Sequence, residues 1–291
     1  MTGHQKLLTA DISLLFIAFI RGTTFLVIKN LLDNFGPLYI VGLRFLFAGI
    51  LMSVLFYHNT ITVTVKELKE GLSIGLYLLL AFVTQTLGLK YTLASKQAFL
   101  TSFYVIIIPF LLLVRYKVPL KFLTVISTFL SLIGIAFICS NNNLSISVNK
   151  GDFLTLISAF FFSCHIISIS RISPNSNIVN ITTLQMLFSG VVALFLSLLL
   201  ESPPTISYDK TAILSFIYLT IICTLLNFFI QNIAQKFTPA SHVGILLCLE
   251  SVFGGILSII LLKENFSIYM VIGSILLTIS VLCSEYSSLQ K

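Results

Sequence analysis

Charge is what this chain has least of. Only 9% of its 291 residues are Asp, Glu, Lys or Arg, against about 25% in a typical soluble domain. That shortage excludes a water-soluble globule, because much of what such a fold left on its outside would be Leu, Ile and Phe. The five cysteines, Cys139, Cys164, Cys223, Cys248 and Cys283, form no CxxC and no Cys/His spacing, which argues against a disulfide framework or structural zinc. Catalytic motifs are missing too. There is no HExxH, no Gly-x-Ser-x-Gly, no P-loop and no Gly-rich dinucleotide fingerprint, so the chain does not read as an enzyme and no cofactor is indicated. The one close acidic pair, Glu67 and Glu70, sits among Lys66 and Lys69 and reads as a solvated turn. Basic residues outnumber acidic ones 17 to 10, but they are scattered, which removes nucleic acid as an expected partner. No Ala-x-Ala cleavage pattern closes the first apolar segment, so it reads as a retained helix.

What is present is apolar sequence, 57% of the chain, with a mean hydropathy of +1.05. The solvent is lipid. A bilayer core of about 30 Å is crossed by about 20 mostly apolar residues. Ten such windows can be marked: Asp11 to Lys29, Pro37 to Tyr57, Gly71 to Leu89, Gln97 to Arg115, Lys121 to Cys139, Asp152 to Ser170, Val179 to Leu200, Thr211 to Gln231, Ser241 to Leu262 and Ser267 to Ser284. They leave no room for the extramembrane domain of a single-pass receptor. Breakers separate them, among them Gly36 and Pro37, Asn141 to Asn143, Pro174, Pro203 and Pro204, and Pro239. The alternating segments of about ten residues that mark a membrane β-barrel are absent.

The sequence also repeats itself. Gln85 to Ser95 aligns with Gln231 to Ser241 at an offset of 146, with Gln, Lys, Thr, Ala and Ser identical; Leu43 to Gly49 aligns with Leu184 to Gly190 at an offset of 141, as do Asp11 with Asp152 and Phe19 with Phe160. Matched polar residues in order favour duplication over the general likeness of apolar segments. The expected fold is therefore all-α, ten transmembrane helices as two five-helix repeats, 11–139 and 152–284, joined by a loop over 140–151. An odd number of crossings turns the second copy over, so the repeats are inverted. In secondary transporters that architecture places substrate near the bilayer midplane between the halves. Nine basic residues in the loops and tails on the N-terminal side against six on the other favour both termini inside the cell.

Ionisable residues at depth are the functional candidates. Arg21 lies about 15 Å along a helix from Asp11 and Glu250 about 14 Å from Ser241. Arg21 with Thr24, one turn on, would suit a forked hydrogen bond to a carboxylate or phosphate, unless Arg21 only locks helices together. Glu250 would carry a coupling or gating proton, pair with Arg21, or accept hydrogen bonds from neighbouring helices. Gln85 and Gln231 hold equivalent places in the two halves, and Asn227 lies one turn before Gln231; they would bind substrate from two sides or bridge helices. His165, at the repeat position of Thr24, and Tyr104 complete the candidate set. Arg44, about 10 Å in, reads as structural, snorkelling to an interface. The stripe Gly244, Cys248, Ser251, Gly255 and Ser258 reads as close helix packing.

Several of these residues fall in segments that together resemble the EamA-type, ten-helix branch of the drug/metabolite transporter superfamily. The resemblance spans the whole chain and rests on Gly22 to Phe25 in the first helix, Arg44 to Leu46 in the second, Lys90 to Ser95 before the fourth, and Leu249 to Phe253 running on to Lys263 and Glu264 in the ninth. Two departures stand out: Arg21 precedes Gly22 where the family usually has Trp, and the fourth helix ends in Arg115, Tyr116 and Lys117 where many members have Gly-Glu-Arg. The resemblance implies a multi-pass carrier of the cell membrane whose partners are a small metabolite, amino acids among the candidates, and the lipid bilayer, with protons or a counter-substrate as the coupling species. Export is favoured over import. A passive channel on inverted repeats is the alternative, and an integral-membrane enzyme ranks below it, since the ionisable residues do not cluster at an interface.

Overall fold

A computed structural model describes residues 3–60, 62–120, 122–140, 148–204, 210–264 and 267–289. Its elements are helices, as lipid demands, because a helix satisfies its own backbone polar groups. In chain order they are α1 Gly3–Leu31, α2 Pro37–Leu55, the short α3 Tyr57–Thr60, α4 Val65–Leu89, α5 Ala94–Thr101, α6 Tyr104–Tyr116, α7 Phe122–Ile138, α8 Lys150–Ser170, α9 Ile178–Leu200, α10 Lys210–Thr220, a π-helical segment Ile221–Leu226, α11 Asn227–Ala234, α12 Ala240–Leu262 and α13 Ile268–Leu289. Among the described residues eight segments are long and apolar enough to cross a membrane, and two shorter apolar helices, Val125–Ile138 and Ile268–Ser280, stand at the fifth and tenth places. Large apolar side chains such as Phe16, Phe47, Phe195 and Leu198 cover the outside, as expected where the surroundings are acyl chains.

Inversion of the halves is visible in the helix contacts. A Cβ on Gly49 would meet Leu187 at 2.8 Å, and one on Gly190 would meet Leu46 at 2.3 Å. Gly49 and Gly190 are repeat-mates, and so are Leu46 and Leu187; the same contact occurs twice, and Gly42 against Leu194 continues its antiparallel register. Gly134 against Leu277 and Gly273 against Ile138 repeat the pattern between α7 and α13. The helix ends agree: α6 and α12 both terminate on a left-handed lysine, Lys117 with φ 56° and Lys263 with φ 54°, again 146 apart.

Four expectations change. The window Gln97 to Arg115 is two helices, α5 and α6, because the chain breaks at Ser102 and Phe103; Ser102 Oγ turns back onto the Phe99 carbonyl at 2.7 Å. The window Thr211 to Gln231 contains the π-helical turn. The third window starts at Val65, because Thr64 and Glu67 form a capping box. Finally, Glu67 and Glu70 are no solvated turn. Glu67 is buried and accepts from Thr64 N at 2.9 Å, Asn177 N at 2.7 Å and Asn180 Nδ2 at 3.1 Å, and Glu70 accepts from Ser176 Oγ at 2.6 Å. Both carboxylates serve the approach to α9, where unpaired backbone amides favour negative charge. The breaker Asn141 to Asn143 and most of the inter-repeat loop lie outside the described residues.

Candidate functional site

Helix α1 meets α12 through glycine. A Cβ on Gly22 would stand 2.7 Å from Phe253 Cβ and 2.9 Å from the Gly254 amide, so only glycine permits this approach. The residue before it, Arg21, is thereby laid against α12, where Nε donates to Glu250 Oε2 in a buried ion pair. Nη1 reaches Gln231 Oε1 on α11 at 3.4 Å, and the guanidinium lies 5.4 Å from the centre of the Phe162 ring. The pair joins the first half to the second about 15 Å before the end of α1 and about 15 Å after the start of α12. An apolar pair of similar size would serve stability as well or better, so stability alone does not account for it.

A cavity lies beside this pair, lined from the first half by Arg21, Thr24, Arg44, Gln85 and Gln97 and from the second by Cys223, Asn227 and Glu250. It is narrow, about 20 Å³ as seen by the centre of a water molecule, which is room for about one. Both helix irregularities border it. Gln97 comes from α5, just before the break, and donates to the Gln85 carbonyl at 2.6 Å and to Thr155 Oγ1 at 3.2 Å. Cys223 and Asn227 come from the π-helical turn and the residue after it, and Asn227 Nδ2 donates to the Cys223 carbonyl at 3.3 Å. Discontinuous or bulged helices at sites of this kind free backbone and side-chain groups for binding.

Of the residues singled out from sequence, Arg21, Thr24, Gln85, Asn227 and Glu250 line this one cavity, and Gln231 touches it through Arg21. The Thr24 hydroxyl donates to the Ile20 carbonyl at 3.3 Å. Tyr104 and His165 are buried off the lining. His165 Nε2 is bound to Gln185 Oε1 at 3.0 Å, and Tyr104 packs against Phe162 with ring centres 6.4 Å apart. The stripe on α12 packs as expected, Gly244 against Ile108 and Gly255 against the Phe99 ring.

Arg44 is the residue that sequence reasoning misplaced. It does not snorkel. It is fully buried and lines the cavity, with Nε donating to Thr224 Oγ1 at 2.9 Å and its plane 4.9 Å and 4.6 Å from the ring centres of Phe45 and Phe82. Such contacts are worth about 0.5–2 kcal/mol each. Depth alone suggested escape to an interface; the signal for the true position was Phe45 beside it and a hydroxyl residue, Thr224, in the window that carries the π turn.

Comparison with known proteins agrees with this architecture. The EamA-like transporter family matches the chain twice, over residues 8–140 and 149–285. An uncharacterized transporter of Archaeoglobus fulgidus is 30% identical over 95% of this chain and 86% of its own length. The uncharacterized transporter YcxC of Bacillus subtilis is 24% identical over 100% of this chain and 97% of its own. A solved crystal structure of 13% sequence identity superposes with a TM-score of 0.71, covering 97% of this chain and 99% of the other, a likeness that shows the fold.

Proposed function

The chain belongs to the EamA-like transporter family, and we propose that it works there as a secondary carrier, moving a small polar metabolite across the cytoplasmic membrane by alternating access. Amino acids are among the candidate cargoes, export is the favoured direction, and both termini face the cytoplasm. One observation carries the reading: a buried Arg21–Glu250 pair ties the two inverted halves together at the wall of a cavity lined from both. A charged pair that bridges two rocking bodies is the element whose making and breaking can report cargo or a proton to both ends. With no nucleotide-binding motif in the sequence, the energy comes from an ion gradient or from exchange.

Coupling is assigned to Glu250. Arg21 holds one of its oxygens while the other, Oε1, has no hydrogen-bond partner among the described residues. A proton taken up on the free oxygen weakens the pair and loosens α1 from α12. The reading is tested in proteoliposomes, with a cargo supplied by thermal-shift screening of metabolites against the purified protein. A carrier shows saturation and trans-acceleration when unlabelled cargo is placed opposite; flux that rises linearly, without acceleration, identifies a pore instead. For coupling, Glu250→Gln keeps equilibrium binding and loses the pH dependence of uptake. Unchanged pH dependence removes Glu250 from the coupling role.

A further inference from the structure

The charges around the cavity do not cancel. Its lining holds two guanidinium groups, Arg21 and Arg44, and one carboxylate, Glu250. Arg21 and Glu250 are spent on each other. Arg44 has no carboxylate partner among the described residues: Nε is held by the Thr224 hydroxyl, Nη1 has no hydrogen-bond partner, and two phenyl rings cover the plane. A fully buried guanidinium in that state lacks a counter-charge. Among the described residues three carbonyl or carboxylate oxygens on the same lining are also unpartnered, Glu250 Oε1, Asn227 Oδ1 and Gln97 Oε1, as is the Thr86 hydroxyl. The amide oxygens of Asn227 and Gln97 are identified by their NH₂ groups, each of which donates to a backbone carbonyl.

We propose that Arg44 is the residue that binds an anionic group of the cargo, and that the cargo is a small organic carboxylate that also carries an N–H or O–H donor. This rests on the carrier reading of the same cavity. With the cavity widened from the one-water state described above, as alternating access requires, the carboxylate takes Nη1 of Arg44 and supplies the missing negative charge; the donor satisfies the acceptors contributed by Glu250, Asn227 and Gln97. The count of charges selects the class. A monoanion brings the lining to neutrality, whereas a phosphate monoester dianion leaves a surplus negative charge beside Glu250. Arg21, already holding Glu250, is not the group that reads the anion.

The test uses the purified full-length protein in detergent and a panel of two- to six-carbon hydroxycarboxylates and N-acetylated amino acids, each a monoanion paired with its uncharged amide. Thermal stabilisation against ligand concentration gives the apparent Kd. At least one acid binds ten-fold or more tightly than its amide, and phosphate monoesters of similar size do not compete. Arg44→Gln brings the acid down to the level of the amide, while Arg44→Lys keeps part of the preference. Equal binding of acids and amides by the unaltered protein, or binding of no acid in the panel, overturns the assignment whatever the variants do. Counterflow separates this from the carrier reading. Acid binding that depends on Arg44 without trans-acceleration removes the carrier and leaves the anion site; trans-acceleration of a cargo indifferent to Arg44→Gln does the reverse.

Discussion

The same place in the two halves is built from opposite chemistry. Arg21 on α1 and Glu250 on α12 are the repeat-mates of Phe162 on α8 and Tyr104 on α6, at the offsets of 141 and 146. One copy is a buried ion pair; the other is two aromatic rings 6.4 Å apart. Both solve the packing problem, so packing did not require the charges. Gly22 against Gly254 lets α1 and α12 approach, while the repeat-mate of Gly22, Ser163, instead donates to the Tyr104 carbonyl at 3.0 Å. The cavity lies beside the charged copy. A duplicated fold has kept its symmetry in the scaffold and put the charged pair at this place in one copy only.

A second contrast separates the ends of the molecule. Asp152 accepts from Lys96 Nζ at 2.7 Å and Thr92 Oγ1 at 2.8 Å. At the opposite end its repeat-mate Asp11 meets His242 Nε2 at 3.3 Å and Thr238 Oγ1 at 3.5 Å, and Thr238 and His242 are the repeat-mates of Thr92 and Lys96. The side chains of Lys96 and Asp152 are 11% and 0% exposed, those of His242 and Asp11 20% and 24%. One latch is tight and dry, the other looser and wetter. On the carrier reading this inequality marks a state committed to one side, and exchanging the two latches is the motion that moves the cavity's opening.

Breaking the charged copy has the largest expected effect. Arg21→Gln or Glu250→Gln strands a buried partner and costs about 3–5 kcal/mol each, with a double variant that costs less than the sum of the two. The aromatic copy, taken through Phe162→Leu and Tyr104→Phe, couples by only about 0.5–1.5 kcal/mol. Double-mutant cycles on reversible unfolding measure both; equal coupling energies erase the contrast. Next comes the pair of latches. Asp152→Asn leaves Lys96 buried without its anion and costs about 3–5 kcal/mol, whereas Asp11→Asn stays under about 1 kcal/mol, read as a fall in Tm for the first and little change for the second. Gly22→Ala is smaller in stability, about 1–3 kcal/mol of overpacking, yet it pushes α1 off α12 and stops uptake. Ser163→Ala, its counterpart, costs about 0.5–1.5 kcal/mol for one hydrogen bond and leaves uptake intact. The smallest change is His242→Lys, which rebuilds the loose latch in the image of the tight one. Its stability shift is under about 1 kcal/mol, and its effect appears as slower uptake.

Much of this was legible in the sequence. Apolar runs set the crossings and matched polar residues set the repeat, because both are properties of composition and order. The depth of Arg21 and Glu250 followed from counting residues, and their pairing was among the alternatives that depth left open. The direction a side chain takes around its helix was not legible. A helix apolar on all faces has almost no hydrophobic asymmetry to report it, so Arg44 could be placed at its depth but not turned toward Phe82 and Thr224. Nor did hydropathy register the break at Ser102 or the π turn at Ile221–Leu226, since the residues there are as apolar as a continuous helix requires. Glu67 looked solvated because its partners, Asn177 and Asn180, stand more than a hundred positions away.

The central claim, one cavity opened to one side at a time, is tested most directly at Cys223, a native thiol on the cavity lining. The other four cysteines are replaced by serine, and a membrane-impermeant maleimide is applied to right-side-out and to inverted vesicles. The account predicts that Cys223 is labelled from both faces in the unrestrained protein. Once Asp11→Cys and His242→Cys are bridged by a bifunctional thiol reagent, labelling persists from one face only. Labelling from both faces with the bridge in place would contradict it.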